Sequence, residues 1–290
     1  MTTPSNGRTS AHTHTEEKTI NDNFSFSERS IDFDIYVKSK VGYHHDSNCD
    51  NFYINGIFMK SFNFTDIKKS LKTSGDCAVY AVGTGVNSDR ATKLFLRFFD
   101  EKRREIAESK SIPKAKSKLI EALTYANNRL ISEAEAENEV YEVAITVAVY
   151  IKDTIIYVTC GNCAIIKIND KKVTPLSTSS STLGLRREIE IKPATTTFKE
   201  TDSVILLSKG IASADSPENI GYQITDKSDT KIIVNNILDK IRLVTANDIT
   251  CMSVKAEPYK GIRAKTLIFA GACFIISILN LIYTFIVKGA

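Results

Sequence analysis

Two cysteines, Cys160 and Cys163, stand at the CxxC spacing that proteins use for thiol redox chemistry and for zinc binding. A structural zinc site takes four ligands, but the sequence contains no second CxxC pair. A thioredoxin-like pair opens a helix after a strand, whereas this pair lies in a turn between two predicted strands. The CGNC segment therefore favours a structural turn over redox or zinc chemistry.

A second group, His44, His45 and Asp46, offers two imidazoles and a carboxylate, which are ligands for transition metals. These residues lie between two predicted strands, where a polar hairpin is the simpler explanation of the same sequence. The other histidines, His12 and His14, belong to a polar N-terminal stretch. The histidines alone therefore do not predict a metal site.

The composition is that of an ordinary folded protein. The chain has 290 residues, of which 42% are hydrophobic and 25% are charged, close to the average of globular domains. A chain of this length can build a hydrophobic core without disulfide or metal cross-links. The 38 Lys and Arg against 34 Asp and Glu give a formal charge of +4, and no basic block stands out. Charge therefore gives no reason to expect a nucleic-acid partner.

Hydrophobic periodicity predicts strands on both sides of a long helical stretch. Apolar patterns predict strands at 32–40, 51–58, 77–82, 140–151, 154–160, 164–168, 188–192, 203–208 and 249–254. Helical spacing predicts a helix from Asp89, a second helix separated from it by Pro113, and further helices near 217–220 and 231–244. Blocks of strands thus alternate with helices, which predicts an α+β fold with largely antiparallel sheets. Short turns predict a β-meander over 140–168.

The two ends of the chain differ from this body. Residues 1–30 are polar and rich in Thr, Ser and Asn, which predicts a disordered tail. Residues 266–287 form an uncharged, largely apolar run that would be about 33 Å long as a helix, sufficient to cross a bilayer. We therefore predict a folded domain at 31–255, a linker at 256–265 and one transmembrane helix at 266–287.

Basic residues set the expected orientation of this helix. Lys260, Arg263 and Lys265 precede it and only Lys288 follows it, so the positive-inside rule places the N-terminal domain in the cytoplasm. The short C-terminal remainder predicts insertion as a tail anchor. Six cysteines kept as free thiols would suit a reducing compartment.

Five short segments occur in an order that resembles the metal-dependent PP2C, or PPM, Ser/Thr phosphatases. They are NCDNF at 48–52, AVYAVGTG at 78–85, VTCGNCAIIKI at 158–168, TDSVILLSKGI at 201–211 and NDIT at 247–250. They are similar to the family patterns N-E-D-x-F, D-G-x-G-G, G-D-S, S-D-G and D-N-x-T, and cover roughly residues 31–255. The resemblance implies a four-layer αββα sandwich of two antiparallel sheets with helices outside.

The resemblance also implies where metals would bind, because the family holds two divalent cations with carboxylates at these motifs. The Asp of N-E-D is present as Asp50, while the preceding Glu is replaced by Cys49. The other carboxylate positions are occupied here by Val82, which is followed by Gly83, and by Lys209, Asn247 and Asn162. The resemblance thus implies a degenerate metal site in which only Asp50 is left to bind a metal, and it assigns no catalytic residue.

Lys209 places a cation where the family has a metal ligand. We hypothesise that its ammonium occupies the space of the metals and pairs with Asp50. The alternative is that Lys209 is an exposed turn residue.

These substitutions favour a membrane-anchored pseudophosphatase that binds a phosphoprotein or a kinase pathway component and needs no cofactor. One alternative is an active Ser/Thr phosphatase that uses Mn or Mg in a rearranged site and recruits His44, His45 or Asp46. Another is a tail-anchored structural scaffold that associates in the membrane through Ser277 and Asn280.

Overall fold

The computed structural model describes residues 31–257, except 44, 62–63, 87, 170–171, 177, 179, 200–201, 223 and 225–228, and it also describes residues 274–278. The first half of this region forms β1 (Ile31–Lys40), β2 (Asp50–Ile54), β3 (Ile67–Gly75), β4 (Cys77–Gly85), α1 (Asp89–Ala107) and α2 (Ile112–Glu137). The second half forms β5 (Val143–Ile151), β6 (Thr154–Cys160), β7 (Ala164–Ile168), β8 (Val173–Pro175), β9 (Ala194–Thr197), β10 (Ser203–Leu207), α3 (Lys209–Ala214), α4 (Pro217–Tyr222), α5 (Thr230–Ile241) and β11 (Ile249–Glu257).

The strands form two antiparallel sheets. One sheet has the order β3-β1-β11-β10-β7-β8, and the other has the order β2-β4-β5-β6-β9. Their facing sides share a core in which Phe33 of β1 contacts Tyr80 and Tyr150 of the other sheet edge to face, with ring centroids 5.8 and 4.9 Å apart. Burying large aromatic side chains between the sheets holds the two together.

Helices cover the outer face of each sheet. Helices α1 and α2 pack on the five-stranded sheet, where Phe95 and Leu123 share a core with Val147. Helices α3, α4 and α5 cover the six-stranded sheet, where Ile233 and Ile237 share a core with residues of β10 and β11. The α+β class and the paired antiparallel sheets agree with the sequence-based expectation, and the layers follow the order αββα.

Local signals explain where the two long helices begin and end. The Ser88 side chain caps α1 by accepting a hydrogen bond from the Ala91 backbone N–H. Pro113 lies in the first turn of α2, where its missing N–H costs no hydrogen bond. Asn138 ends α2 in the left-handed conformation, with φ of 55°.

The structure differs from the sequence-based expectation at three places. Strand β3, at the edge of its sheet, was not predicted, because its lysines and serines hide the alternation of half-buried and exposed residues. No strand forms at 188–192; the described strand in this part of the chain is β9, which pairs with β6. The meander is interrupted after β6, because the chain turns at Gly161 (φ of 73°) and β7 joins β10 in the other sheet.

The predicted N-terminal tail, most of the linker and most of the transmembrane segment lie outside the described residues. Of residues 266–287, the structure describes 274–278, which are helical, with exposed apolar side chains such as Phe274 and Ile275. Among the residues described, no helix is both long and apolar enough to span a membrane. The limits of the domains stay predictions, although β11 itself continues to Glu257.

Candidate functional site

The candidate site lies at one end of the sandwich, where strands of both sheets begin or end. Asp50 opens β2 and lies opposite Thr84, near the end of β4. From the other sheet, Ser208 follows β10, and its hydroxyl oxygen accepts a hydrogen bond from the Thr250 backbone N–H in β11. The Lys209 backbone N–H donates to Thr84 Oγ1 over 3.2 Å and so connects the two sheets at this point.

Asp50 is a buried carboxyl group with an incomplete set of hydrogen bonds. Its Oδ1 accepts a 2.6 Å hydrogen bond from Thr84 Oγ1, while its Oδ2 has no partner among the residues that the structure describes. Burial raises the pKa of Asp50 to about 6, and the nearby negative charge of Asp248 acts in the same direction. The hydroxyl groups of Thr84, Ser208 and Thr250 lower this pKa and so offset part of the effect.

Asp248, the residue before β11, is the most extensively hydrogen-bonded acid of the site. Its Oδ1 accepts from the Gly42 backbone N–H over 2.7 Å. Its Oδ2 accepts from the Cys49 backbone N–H over 2.8 Å and contacts His45 Nδ1 at 2.9 Å. Asp248 therefore ties the loop between β1 and β2 to the start of β11.

His45, Cys49 and Asp248 form a compact group of possible metal ligands. One ligand atom from each lies within 4.8 Å of the other two. Burial raises the pKa of the Cys49 thiol to about 12, and the charges of Asp248 and Asp50 add to this increase. Sequence analysis proposes His45 only as a residue that a rearranged metal site could use, and it does not identify Asp248 as a site residue. A signal was present, because Asn247-Asp248 reverses the Asp-Asn order of the family motif.

Lys209 is the first residue of α3, and its side chain is half-buried. It lines a cavity of about 110 Å³ together with His45, Thr84, Gly85, Val86, Gly210, Asn247 and Asp248. The predicted pair with Asp50 is not formed, because Asp50 Oδ1 bonds to Thr84 and Oδ2 accepts no hydrogen bond from any described residue. Lys209 thus lines the cavity without an ion pair to the buried Asp50, and as a half-buried first residue of α3 it is not the exposed turn residue of the alternative.

The remaining predicted positions are spread over different environments. Val82 is fully buried in the core between the sheets, and Gly83 lies opposite Asn51 in the β2–β4 ladder. Asn247 lines the cavity, whereas Asn162 is exposed in the turn after β6. The structure therefore brings Lys209 and Asn247 to the cavity and places Asp50 beside Thr84, but it leaves Val82 and Asn162 outside.

Comparison with known proteins identifies the fold. The sequence matches no family profile, and no curated protein is detectably similar to it. Among solved structures, the Mycobacterium tuberculosis serine/threonine phosphatase PstP is 12% identical, covering 78% of this chain and 100% of that chain with a TM-score of 0.60. The S. agalactiae serine/threonine phosphatase is 12% identical, with 78% and 100% coverage and a TM-score of 0.62. The chain has the PP2C phosphatase fold.

A third structure with this fold, PppA, is described as a key regulatory component of the type VI secretion system in Pseudomonas aeruginosa. It is 15% identical and covers 79% of this chain and 100% of that chain, with a TM-score of 0.60. At such identities, the likeness to PP2C phosphatases establishes the fold and leaves the chemistry to be judged from the side chains present.

One structure of PstP contains two manganese ions, so the residues present here can be tested against such a centre. Mn²⁺ and Mg²⁺ require several oxygen ligands with free lone pairs. Here Val82 is buried in an apolar core, Lys209 brings a positive charge to the cavity, and Cys49 supplies sulfur where the resemblance expects a carboxylate oxygen. The residues present therefore do not fit a binuclear centre of hard cations, although His45, Cys49 and Asp248 could hold a different metal.

Proposed function

We propose that the protein is a membrane-anchored pseudophosphatase, in which a PP2C-like domain binds a phosphoprotein or a kinase pathway component without hydrolysing it. The observation that carries the proposal is Lys209, which lines the cavity at the strand ends where the resemblance expects a metal-binding acid. A lysine ammonium attracts phosphate and repels divalent cations. The same substitution therefore supports both binding of a phosphorylated partner and loss of metal-dependent hydrolysis.

The charges around the cavity are compatible with an anionic partner. Asp248 is a wall of the cavity, but two backbone N–H groups and His45 hydrogen-bond its carboxylate and so reduce its effect on an incoming phosphate. Asp50 does not line the cavity. Lys209 is therefore the charged side chain of the described cavity that is best placed to receive a phosphate group.

A binding experiment tests this role. The full chain, purified in detergent, is titrated with a fluorescent phosphoserine peptide and with its unphosphorylated form. We expect preference for the phosphorylated peptide and a loss of affinity of about 10- to 100-fold in Lys209→Ala, since a hydrogen bond to a charged group contributes about 1.5–3 kcal/mol. The control is Lys231→Ala, which removes an exposed lysine of α5 that does not line the cavity.

The same preparations are assayed for release of phosphate with added manganese. We expect no turnover from the wild-type chain. Equal affinity for both peptides, or equal losses in Lys209→Ala and Lys231→Ala, would argue against phosphoprotein binding, whereas turnover would argue against the pseudophosphatase.

The group formed by His45, Cys49 and Asp248 favours a second candidate function. In this alternative the protein is an active metal-dependent Ser/Thr phosphatase whose site is rearranged around these residues. Turnover of the phosphopeptide with manganese or zinc that is abolished both by Asp50→Ala and by His45→Gln would support it.

Membrane anchoring is part of the proposal and is supported by the apolar sequence at 266–287, of which 274–278 are helical with exposed apolar side chains. We place the PP2C-like domain in the cytoplasm from the basic residues before this segment. Alkaline carbonate extraction of membranes from expressing cells tests anchoring, and protease accessibility of the domain in sealed vesicles tests orientation. Release of the full chain by carbonate, as expected for a chain truncated after residue 257, would contradict the anchor.

A further inference from the structure

We propose that His45, Cys49 and Asp248 form a binding site for one zinc ion. The three side chains offer an imidazole nitrogen, a thiol sulfur and a carboxylate oxygen, with one ligand atom of each within 4.8 Å of the others. Zinc accepts this mixture of ligands, whereas Mg²⁺ and Mn²⁺ prefer oxygen alone. The proposed site shares His45 and Asp248 with the wall of the cavity that Lys209 lines, and it differs in its ligands from a carboxylate centre.

The ligands come from positions that the fold already holds in place. Cys49 directly precedes β2 in one sheet, and Asp248 directly precedes β11 in the other. The Asp248 carboxylate accepts backbone hydrogen bonds from Gly42 and from Cys49. Gly42 has no room for a side chain, because a Cβ atom there would lie 2.1 Å from the Ala246 carbonyl oxygen. The site is therefore largely preformed, which lowers the cost of ordering it around an ion.

The contact between His45 Nδ1 and Asp248 Oδ2 measures 2.9 Å and has the geometry of a hydrogen bond. Two ligands at about 2.0–2.1 Å from a tetrahedral zinc ion lie about 3.3 Å apart. A small movement of His45 would thus let the ion take the place of the shared proton. His45 can move in this way because 30% of its side chain is exposed.

The charges of the ligands suit a divalent cation. When zinc binds, the thiol proton of Cys49 is released to solvent and a sulfur–zinc bond takes its place. The Cys49 thiolate and the Asp248 carboxylate then together neutralise the charge of the ion. Both side chains are nearly excluded from solvent, at 5% and 2% exposure of the residues. The adjoining cavity of about 110 Å³, lined by His45 and Asp248, has space for water as a fourth ligand.

Cobalt binding tests the site with a readout that is independent of enzymatic activity. The metal-free full chain in detergent is titrated with Co²⁺ under reducing conditions, and bound cobalt is then displaced with Zn²⁺. We expect one equivalent of Co²⁺ and a sulfur-to-cobalt charge-transfer band in the near ultraviolet, which zinc removes. A protein that binds no cobalt, or binds it without the thiolate band, would overturn the proposal.

Two variants identify the ligands. Cys49→Ser should abolish the thiolate band. His45→Gln should keep the band but weaken cobalt binding at least tenfold, because loss even of a residue that only hydrogen-bonds a metal ligand lowers metal affinity 10- to 100-fold. The partial exposure of His45 keeps this second variant informative if Cys49→Ser fails to fold. Retention of full affinity in His45→Gln would exclude His45 as a ligand and contradict the site as proposed.

Cys77→Ser is the matched control. Cys77 is a free cysteine at the start of β4, and Gly85, which lines the cavity, is at the end of the same strand. At the usual rise of a strand, the eight steps between them put Cys77 about 26 Å from Gly85. We expect this variant to keep both the cobalt band and the affinity. Loss of the band in Cys77→Ser, together with its retention in Cys49→Ser, would assign the metal to another sulfur and refute the proposed site.

Discussion

The Thr84 hydroxyl donates a 2.6 Å hydrogen bond to Asp50 Oδ1, directly opposite it in the β2–β4 ladder. Thr84 Oγ1 also accepts the backbone N–H of Lys209, the first residue of α3. One hydroxyl group therefore connects the buried acid to the helix that presents the cavity lysine. This hydrogen bond gives the buried Asp50 carboxyl group a partner in the neighbouring strand.

Replacing Thr84 with Val should destabilise the protein by about 2 kcal/mol near pH 7, because a buried carboxylate then loses its hydrogen-bond donor. Thr84→Ser is the control, since it keeps the hydroxyl group and should retain most of this stability. Urea denaturation measures the free energy of unfolding of both variants. A loss in the Val variant no greater than that in the Ser variant would contradict the stabilising role of the hydroxyl group.

Asp50 should make stability depend on pH between about 4 and 7. Burial raises the folded-state pKa of Asp50 to about 6 from its usual value of 3.8, so the folded protein binds this proton more tightly than the unfolded chain. The resulting stabilisation is fully present below about pH 4 and is lost as the pH rises through about 6. The size of the change is about 3 kcal/mol, from a shift of about two pKa units.

The measurement compares the wild-type chain with Asp50→Asn by urea denaturation from pH 4 to 7. The variant cannot ionise at this position, so its stability relative to wild type should rise by about 2–2.5 kcal/mol from pH 4 to 7. Asp202→Asn is the control, because Asp202 is buried but pairs with Lys167 at 2.9 Å. Loss of a buried ion pair should destabilise that variant by about 3 kcal/mol at pH 7. A constant difference between Asp50→Asn and wild type would contradict the raised pKa.

Close packing at Gly210 gives a third prediction. A Cβ atom at this position would lie 2.0 Å from the Asp248 carbonyl oxygen, so a side chain would push α3 away from the start of β11. We expect Gly210→Ala to cost about 3 kcal/mol, at the upper end for overpacking, because a backbone atom cannot give way as a side chain can. At Gly75 the nearest atom would be 3.5 Å away, so Gly75→Ala should be tolerated. Similar melting temperatures for the two variants would contradict this contact.

The layers of the fold can be predicted from sequence because the central strands are clear apolar segments, as in β5, where every residue is buried. Strand β3 cannot be recognised in this way, because an edge strand with exposed lysines buries too few side chains to show the pattern. The contact between His45 and Asp248 spans 203 residues of sequence. The antiparallel pairing of β1 with β11 brings His45 and Asp248 together, so local sequence patterns cannot predict this contact.

The same reasoning accounts for Lys209 and Asp50. Their motifs suggest that the two residues share one metal space, and an ion pair is then the simplest expectation. The structure separates them, because Thr84 lies between the Asp50 carboxylate and the Lys209 backbone and uses its hydroxyl to satisfy both. The hydrogen bonds of Thr84, a neutral residue of β4, therefore take the place of the expected ion pair. The spacing of motifs along the sequence does not predict such hydrogen bonds.

Manganese and magnesium should not stabilise this protein at millimolar concentration, because Lys209 brings positive charge to the cavity and Cys49 offers sulfur in place of a carboxylate oxygen. A ligand present at a hundred times its dissociation constant would add about 2.7 kcal/mol to the free energy of unfolding. For a domain of this size, that would raise the melting temperature by about 5–11 °C. Thermal unfolding of the full chain with and without each metal detects such a change. An increase with manganese that Asp50→Ala removes would mean that hard cations bind beside Asp50, and it would favour the active phosphatase over the pseudophosphatase.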